Sequence, residues 1–456
     1  MSALRAAPVN KHYLNKVMDV AETMAVEVIV DILDVRGMKL VAKGTQVTRA
    51  LQEKLILHKL RQPFETTVRV RGGVDPQAIV GIAARIIESS PSVAHIVRAT
   101  ETGGPSVLSQ LSRLEFGNAL GVMLTVSDRT GPHALEHAVL VSLLSVCMAQ
   151  RLRLSQQDQM VAGLAGLLHD IGELYIDPAY LARGKRLQPH EWSHIVVHPR
   201  IGQMLIDELG DYPAAVGRAV AEHHERFDGS GYPRQIAGAA ISAPGQAVSV
   251  AEMIAGVLLK DHPLERAELA LKIVPGEHSH ELLSAISGAL RASGQAAGDD
   301  GWKAGGGEGV ERLFWRISAI LDVGQRLMEG PAAKSASTLQ LMRKTMSRVV
   351  HIQRAFISTG LDVYVGPQAG FNAGGDGMLQ FEREVACREI QWRLRDIARD
   401  LALNTSTPDE KVVLAPLVRM LDDDLPVAAK DAGQPAAHGW PLPAAAVRAG
   451  VLAGSC

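Results

Sequence analysis

From about Pro105 to Ala292 the apolar residues recur with helical spacing, interrupted by turn signals at Arg129 to Pro132, Asp177 to Pro178 and Asp228 to Pro233. One period kept over such a stretch predicts a single all-helical domain, because helices with one apolar stripe each must bury those stripes against one another. The chain before it has a different rhythm. VEVIVDIL and MKLVA, on either side of a turn at Arg36 and Gly37, read as strands, RALQEKLILHKL as a helix and TTVRV as a strand, so residues 1–104 are expected to form a small α/β unit. DPQAIVGIAARIIESS closes that unit as an amphipathic helix, with Asp75 as N-cap and Pro76 at its first position. Nothing in residues 1–104 has the look of a catalytic site.

Beyond the helical domain, SGQAAGDDGWKAGGGEG (293–309) has the small, polar composition of a linker. Three further helices with charged outer faces are expected in residues 310–425: VERLFWRISAILDVGQRLM, TLQLMRKTMSRVVHIQRAFI and LQFEREVACREIQWRLRDIARDL. Residues 426–456, rich in Ala, Pro and Gly, show no period and are expected to be disordered. The predicted fold class is mainly α: an all-helical central domain with a small N-terminal α/β domain and a C-terminal helical bundle.

Charge and cysteine content limit the partners. The net charge of −2 provides no overall positive field for a nucleic-acid polymer or a membrane surface, so an anionic ligand must be gripped locally. The three cysteines, Cys147, Cys387 and Cys456, are far apart and odd in number, which fits a reducing compartment, the cytoplasm by default. No run approaches the roughly 18 apolar residues of a membrane span.

Of 16 histidines, eight fall between positions 133 and 224: His133, His137, His169, His190, His194, His198, His223 and His224. Neutral imidazole is the commonest metal ligand in proteins, and with carboxylates rather than thiolates it favours Mn, Fe or Zn. His133 and His137, like His169 and Glu173, are four apart and would share a helix face. The neighbours His169 and Asp170, and His223 and His224, point about a quarter-turn apart on a helix, so each pair can reach two ions or flank one. A site with two metals would use both arrangements. Histidines can also be hydrogen-bonded core or surface residues, which fits His190 and His194 better than the paired motifs. DGSGYP, after the histidine pair, is turn chemistry that would shape a pocket rim and offer backbone donors to an anion.

These motifs resemble the HD-GYP family of metal-dependent phosphohydrolases, which hydrolyse cyclic di-GMP and related cyclic dinucleotides. LEHAVLVS supplies the family's leading histidine at His137, GLLHDIG supplies His169 and Asp170, VVHPRIG supplies His198, and HHERFDGSGYP supplies His223, His224, Gly231, Tyr232 and Pro233. The resemblance covers about residues 130 to 260. It implies a helical fold and two divalent ions, iron or manganese, held by His137, His169, Asp170, His198, His223, His224 and Glu252, the last standing where the family has aspartate. His133 occupies the place of a glutamate that holds a third metal in some members.

Glu173 departs from the family pattern, which has a phosphate-contacting lysine there. At an effective dielectric near 20, each unit of charge at about 4 Å is worth roughly 4 kcal/mol before screening. Arg183, Lys185, Arg234 and Lys260 are the candidate substitute cations, beside the Gly231, Tyr232 and Pro233 loop. Three readings follow. In the first, a phosphodiesterase for cyclic di-GMP works through Asp170, His169 and the metal shell. In the second, Glu173 marks a weak or inactive module that senses a nucleotide or a metal, or docks signalling proteins through its N- and C-terminal regions. In the third, Glu173 is a base or extra ligand in hydrolysis of another phosphoester. A homodimer is compatible with each.

Overall fold

The computed structural model describes residues 9–100, 104–131, 133–182, 187–209, 212–258, 260, 262–290, 307–330, 335–358, 377–405 and 407–422. Asn10 caps the first helix, α1 (Lys11–Ala21), by accepting from the amides of His12 and Tyr13. The strands that follow are short: β1 (Val26–Val28), β2 (Ile32–Leu33), β3 (Lys39–Val41) and β4 (Val68–Val70). They form two antiparallel pairs, β1 with β4 and β2 with β3. VEVIVDIL is therefore two strands and not one, and its break carries Asp31, whose carboxylate accepts from the Lys43 amide and pairs with Lys39. The expected helix over RALQEKLILHKL shortens to a 3₁₀ turn and α2 (Gln52–Ile56).

The helices of the central region are α3 (Pro76–Ser89), α4 (Pro91–Thr100), α5 (Val107–Leu111), α6 (Asn118–Thr130), α7 (Ala134–Arg151), α8 (Gln156–Leu168), α9 (Pro178–Leu181), α10 (Pro189–Ile195), α11 (His198–Leu209), α12 (Ala214–Glu222), α13 (Ala243–Val257), α14 (Pro263–Lys272) and α15 (His280–Leu290). Asp75 caps α3 with Pro76 at its first turn, as its sequence predicts. The long, apolar α7 is buried nearly all round between α8 and α13. One apolar cluster runs without a break from Tyr13 to Leu290, so the strands and α1 share a core with the helices.

The C-terminal part contains α16 (Gly307–Glu329), α17 (Ala336–Ser358), α18 (Gly377–Asn404) and α19 (Pro408–Asp422), packed around Ile317, Val349, Ile390, Leu394 and Leu417. The sequence led to three helices here; the fourth, α19, carries Pro416 in its interior, which disguises its period. Most of the expected linker, and all of the expected tail, lie outside the described residues. Among the described residues no helix is long and apolar enough to cross a membrane. The fold is mainly α.

Candidate metal centre

Five helices, α7, α8, α11, α12 and α13, deliver one set of candidate ligands. His137 projects from the first turns of α7, His169 caps the C-terminus of α8, Asp170 opens the 3₁₀ turn Ile171–Tyr175, and His198 begins α11. His223 caps the end of α12 with His224 after it, and Glu252 sits in α13. Helix ends suit this task because a chain leaving a helix can present a side chain without breaking the backbone ladder. Close packing sets the approach: a Cβ at Gly172 would lie 2.1 Å from the His198 carbonyl oxygen, so only glycine lets the turn after Asp170 meet α11.

The potential ligand atoms form two groups, each with its members within 4.8 Å of one another: Asp170, His198, His223 and His224, and His137, His169 and Glu252. His169 and Asp170 thus fall into different groups, whereas His223 and His224 share one. In the second group Glu252 Oε2 lies 2.9 Å from His137 Nε2 and 3.3 Å from His169 Nε2. Between the groups, Asp170 Oδ2 is 3.0 Å from His169 Nε2, and within the first group Asp170 Oδ1 is 3.3 Å from His198 Nε2.

The donors fit a metal better than they fit one another. His169, His198 and His223 each donate from Nδ1 to the backbone carbonyl three residues back, at 2.8, 2.8 and 2.6 Å, which fixes the tautomer and turns Nε2 inward. His169 Nε2 and Glu252 Oε2 are buried without an aligned hydrogen-bond partner. Such orphans are costly unless a cation joins them. His198 Nε2 and His223 Nε2 face each other at 3.1 Å, so positive charge must sit there, either as a proton on one ring or as a metal ion.

The titration behaviour of the bare cluster shows the same conflict. Burial works against charging His169 and His198, yet the carboxylates beside them, Asp170 for both and Glu252 for His169, hold both imidazoles above their ordinary range. Burial presses His223 down to about 4 and, with the field of His223 and His198, sends His224 well below 6.5. Four imidazoles cannot all be charged around one aspartate; divalent ions neutralise the carboxylates and accept the imidazole lone pairs.

Residues around the cluster hold the GYP loop. A Cβ at Gly231 would lie 2.3 Å from the His224 carbonyl oxygen, so the loop turns back directly over the histidine pair. Tyr232 stacks on His224 with ring centroids 4.5 Å apart. Glu225 accepts from the amides of Arg234 and Ile236, and buried Glu222 accepts from Ser242 and from Arg218 and Arg234. These two carboxylates were not singled out in the sequence, although both flank the histidine pair in AEHHERF.

Other expected residues stand apart. His133 has a left-handed backbone outside α7, is exposed, and bonds Glu136 at 2.9 Å through Nδ1, so it does not share a face with His137. Glu173 is not on a helix with His169, because α8 ends at Leu168; it lies outside both ligand groups and lines a neighbouring cavity. Burial first, then the charge of Asp170, pushes its carboxyl up to about 7. Arg234 is engaged with Glu222, and exposed Lys260 lines a cavity on the His224 and Glu252 side. Arg183 and Lys185 lie outside the described residues.

A cavity of about 1070 Å³ opens on the His137, His169 and Asp170 side, large enough for a sizeable organic ligand. Residues 123–266 match the family model of the HD domain. Over 121 residues the chain is 35% identical to a cyclic di-GMP phosphodiesterase response regulator of Xanthomonas campestris, covering 26% of this chain and 32% of the relative. It is 31% identical over 145 residues to a cyclic di-GMP phosphodiesterase of Pseudomonas aeruginosa, 32% of this chain and 34% of the relative. It is 29% identical over 128 residues to 3'3'-cGAMP-specific phosphodiesterase 3 of Vibrio cholerae, 28% of each chain. The matched segment spans about a third of the length of these curated relatives. With the HD, HH and GYP motifs packed around one centre, residues 123–266 form an HD domain.

Proposed function

We propose that this protein is a metal-dependent phosphodiesterase that hydrolyses a cyclic dinucleotide, cyclic di-GMP before others. The observation that carries the reading is the pair of imidazole and carboxylate groups, of which His137, His169 and Asp170 line a cavity of about 1070 Å³. Relatives named for cyclic di-GMP and cGAMP hydrolysis support the substrate class. His137, His169 and Glu252 would hold one ion, and Asp170, His198, His223 and His224 a second, iron or manganese among the metals that this donor set suits. Bound there, the ions would supply an activated water and offset charge developing on phosphorus. The chain's own part is to keep each Nε2 inward through its Nδ1 bond and to hold Tyr232 against His224. The organisation proposed with it is an N-terminal unit (1–104), the hydrolase region (105–292) and a C-terminal helical region (310–425), acting in the cytoplasm, with buried thiols at Cys147 and Cys387.

One observation favours a second reading, a weakly active sensor: Glu173 places a carboxyl in the cavity wall where an anionic diester would lie. The test is to purify the protein anaerobically, count its metals and follow cyclic di-GMP by chromatography for wild type, His169→Ala and Glu173→Lys. Turnover by wild type that disappears in His169→Ala supports the hydrolase. A silent wild type that gains activity in Glu173→Lys overturns it in favour of the sensor.

A further inference from the structure

Among its described residues, the wall of the large cavity carries more acidic side chains than lysines and arginines. Glu88, Glu136, Asp170 and Glu173 line it. Among the described residues its wall holds one lysine and one arginine, Lys16 and Arg85. Lys16 comes from α1, more than 150 residues away in sequence from the turn it meets, and its Nζ lies 3.2 Å from the Glu173 carbonyl oxygen and 3.4 Å from that of Leu174.

The attachment of α1 to this turn is built and not incidental. The Tyr13 and Tyr175 rings stack with centroids 5.2 Å apart, and Asn10 Nδ2 donates to the Tyr175 carbonyl at 3.1 Å. The Tyr175 hydroxyl donates to buried Glu65. Three parts of the N-terminal region thus clamp the segment that begins at Asp170, and the clamp carries Lys16 to the cavity edge. An ammonium has three donors, and two carbonyls at these distances leave one for another acceptor. The position that a phosphate-binding lysine would occupy in sequence is Glu173; in space, a lysine from another element stands beside it.

We propose that Lys16 is a substrate-binding residue that grips a phosphate of the cyclic dinucleotide, so that the N-terminal helix completes the site. The proposal rests on the phosphodiesterase reading for the identity of the anion. Exposed Arg85, on α3 at the same cavity, makes no ion pair among the described residues and offers a second, outer contact.

The test compares the full-length wild type with Lys16→Met, Lys16→Arg and, as a control on the same helix, Lys11→Met. Binding of cyclic di-GMP is read by calorimetry, turnover by chromatography, and metal content and melting temperature in parallel. Losing one charge-assisted bond to phosphate should weaken binding and raise KM by about 10- to 100-fold in Lys16→Met with metal content unchanged. Lys16→Arg should restore most of the affinity, and Lys11→Met should match wild type. A second measurement avoids mutation: cyclic di-GMP should slow acetylation of Lys16 in the native protein, followed by mass spectrometry, and leave Lys11 unaffected. Equal affinity in wild type and Lys16→Met, or acetylation of Lys16 indifferent to ligand, overturns the proposal while turnover keeps the hydrolase reading. Lost affinity in Lys16→Met with a wild type that binds but never hydrolyses supports Lys16 and sinks the hydrolase. A wild type that does not bind cyclic di-GMP overturns both.

Discussion

His169 and Asp170 adjoin in sequence, yet their side chains serve different groups of ligand atoms. The adjacency was legible because a quarter-turn offset lets neighbours aim at separate points. Glu252 was placed only through the family resemblance, since nothing around VSVAEMIAG signals a ligand. It now lies closest to His137, and its charge is matched to two imidazoles. Glu252→Gln keeps the shape and removes the charge. Metal affinity should fall by more than the roughly 10- to 100-fold typical of losing an outer-shell partner, with one ion fewer per chain by elemental analysis. Full stoichiometry in that variant would exclude Glu252 as a ligand. Lys16 could not have been found in the sequence: in KHYLNKVMDVA it reads as one more polar position of an amphipathic helix, and only the fold brings it to Glu173.

At the scale of elements, spacing rules worked where a helix continued and failed where it ended. The expected face shared by His133 and His137 is lost because α7 starts after His133, whose φ of 61° lies outside the helix. The expected face shared by His169 and Glu173 is lost because α8 stops at Leu168 and a 3₁₀ turn takes over. That stop is what separates the candidate metal ligands from Glu173, and Gly172 makes the geometry possible. Gly172→Ala places a methyl group in contact with the His198 backbone, so the turn and α11 must part. We expect a loss of about 1–3 kcal/mol of stability, the usual cost of overpacking, together with weakened metal binding because His198 moves with α11. Thermal unfolding with and without chelator separates the two effects. Chelation itself should lower the wild-type melting temperature: a bound ion at 100 times its Kd stabilises the native state by about 2.7 kcal/mol.

Across the whole molecule, the C-terminal helices are fastened to the HD domain by charge. Arg393 of α18 is buried and donates to buried Glu277, with its Nε at 3.0 Å, while Arg226, beside the GYP loop, lies 3.8 Å from the other oxygen of that carboxylate. Arg399 lies over the Trp192 ring at 4.5 Å, and Gln235 donates to Asp400 at 2.6 Å. None of this was legible in the sequence, since an arginine in a charged helix face gives no sign of its partner across 116 residues. Arg393→Met would leave Glu277 buried without its main partner, and breaking such a pair costs about 3–5 kcal/mol. The effect has a defined pH dependence. Burial alone would raise the Glu277 carboxyl, but Arg393, together with His278 and Arg226, outweighs it and holds the group below the usual carboxylate range. A carboxyl depressed in the folded state stabilises above its unfolded value, near about 4.3, and that stabilisation fades as pH falls through the folded value. Wild type and Arg393→Met should therefore differ most in melting temperature near pH 7 and converge as the pH is taken below about 4. A difference that stays constant across that range would mean that Arg393 acts through packing of its side chain, not through the charge of Glu277.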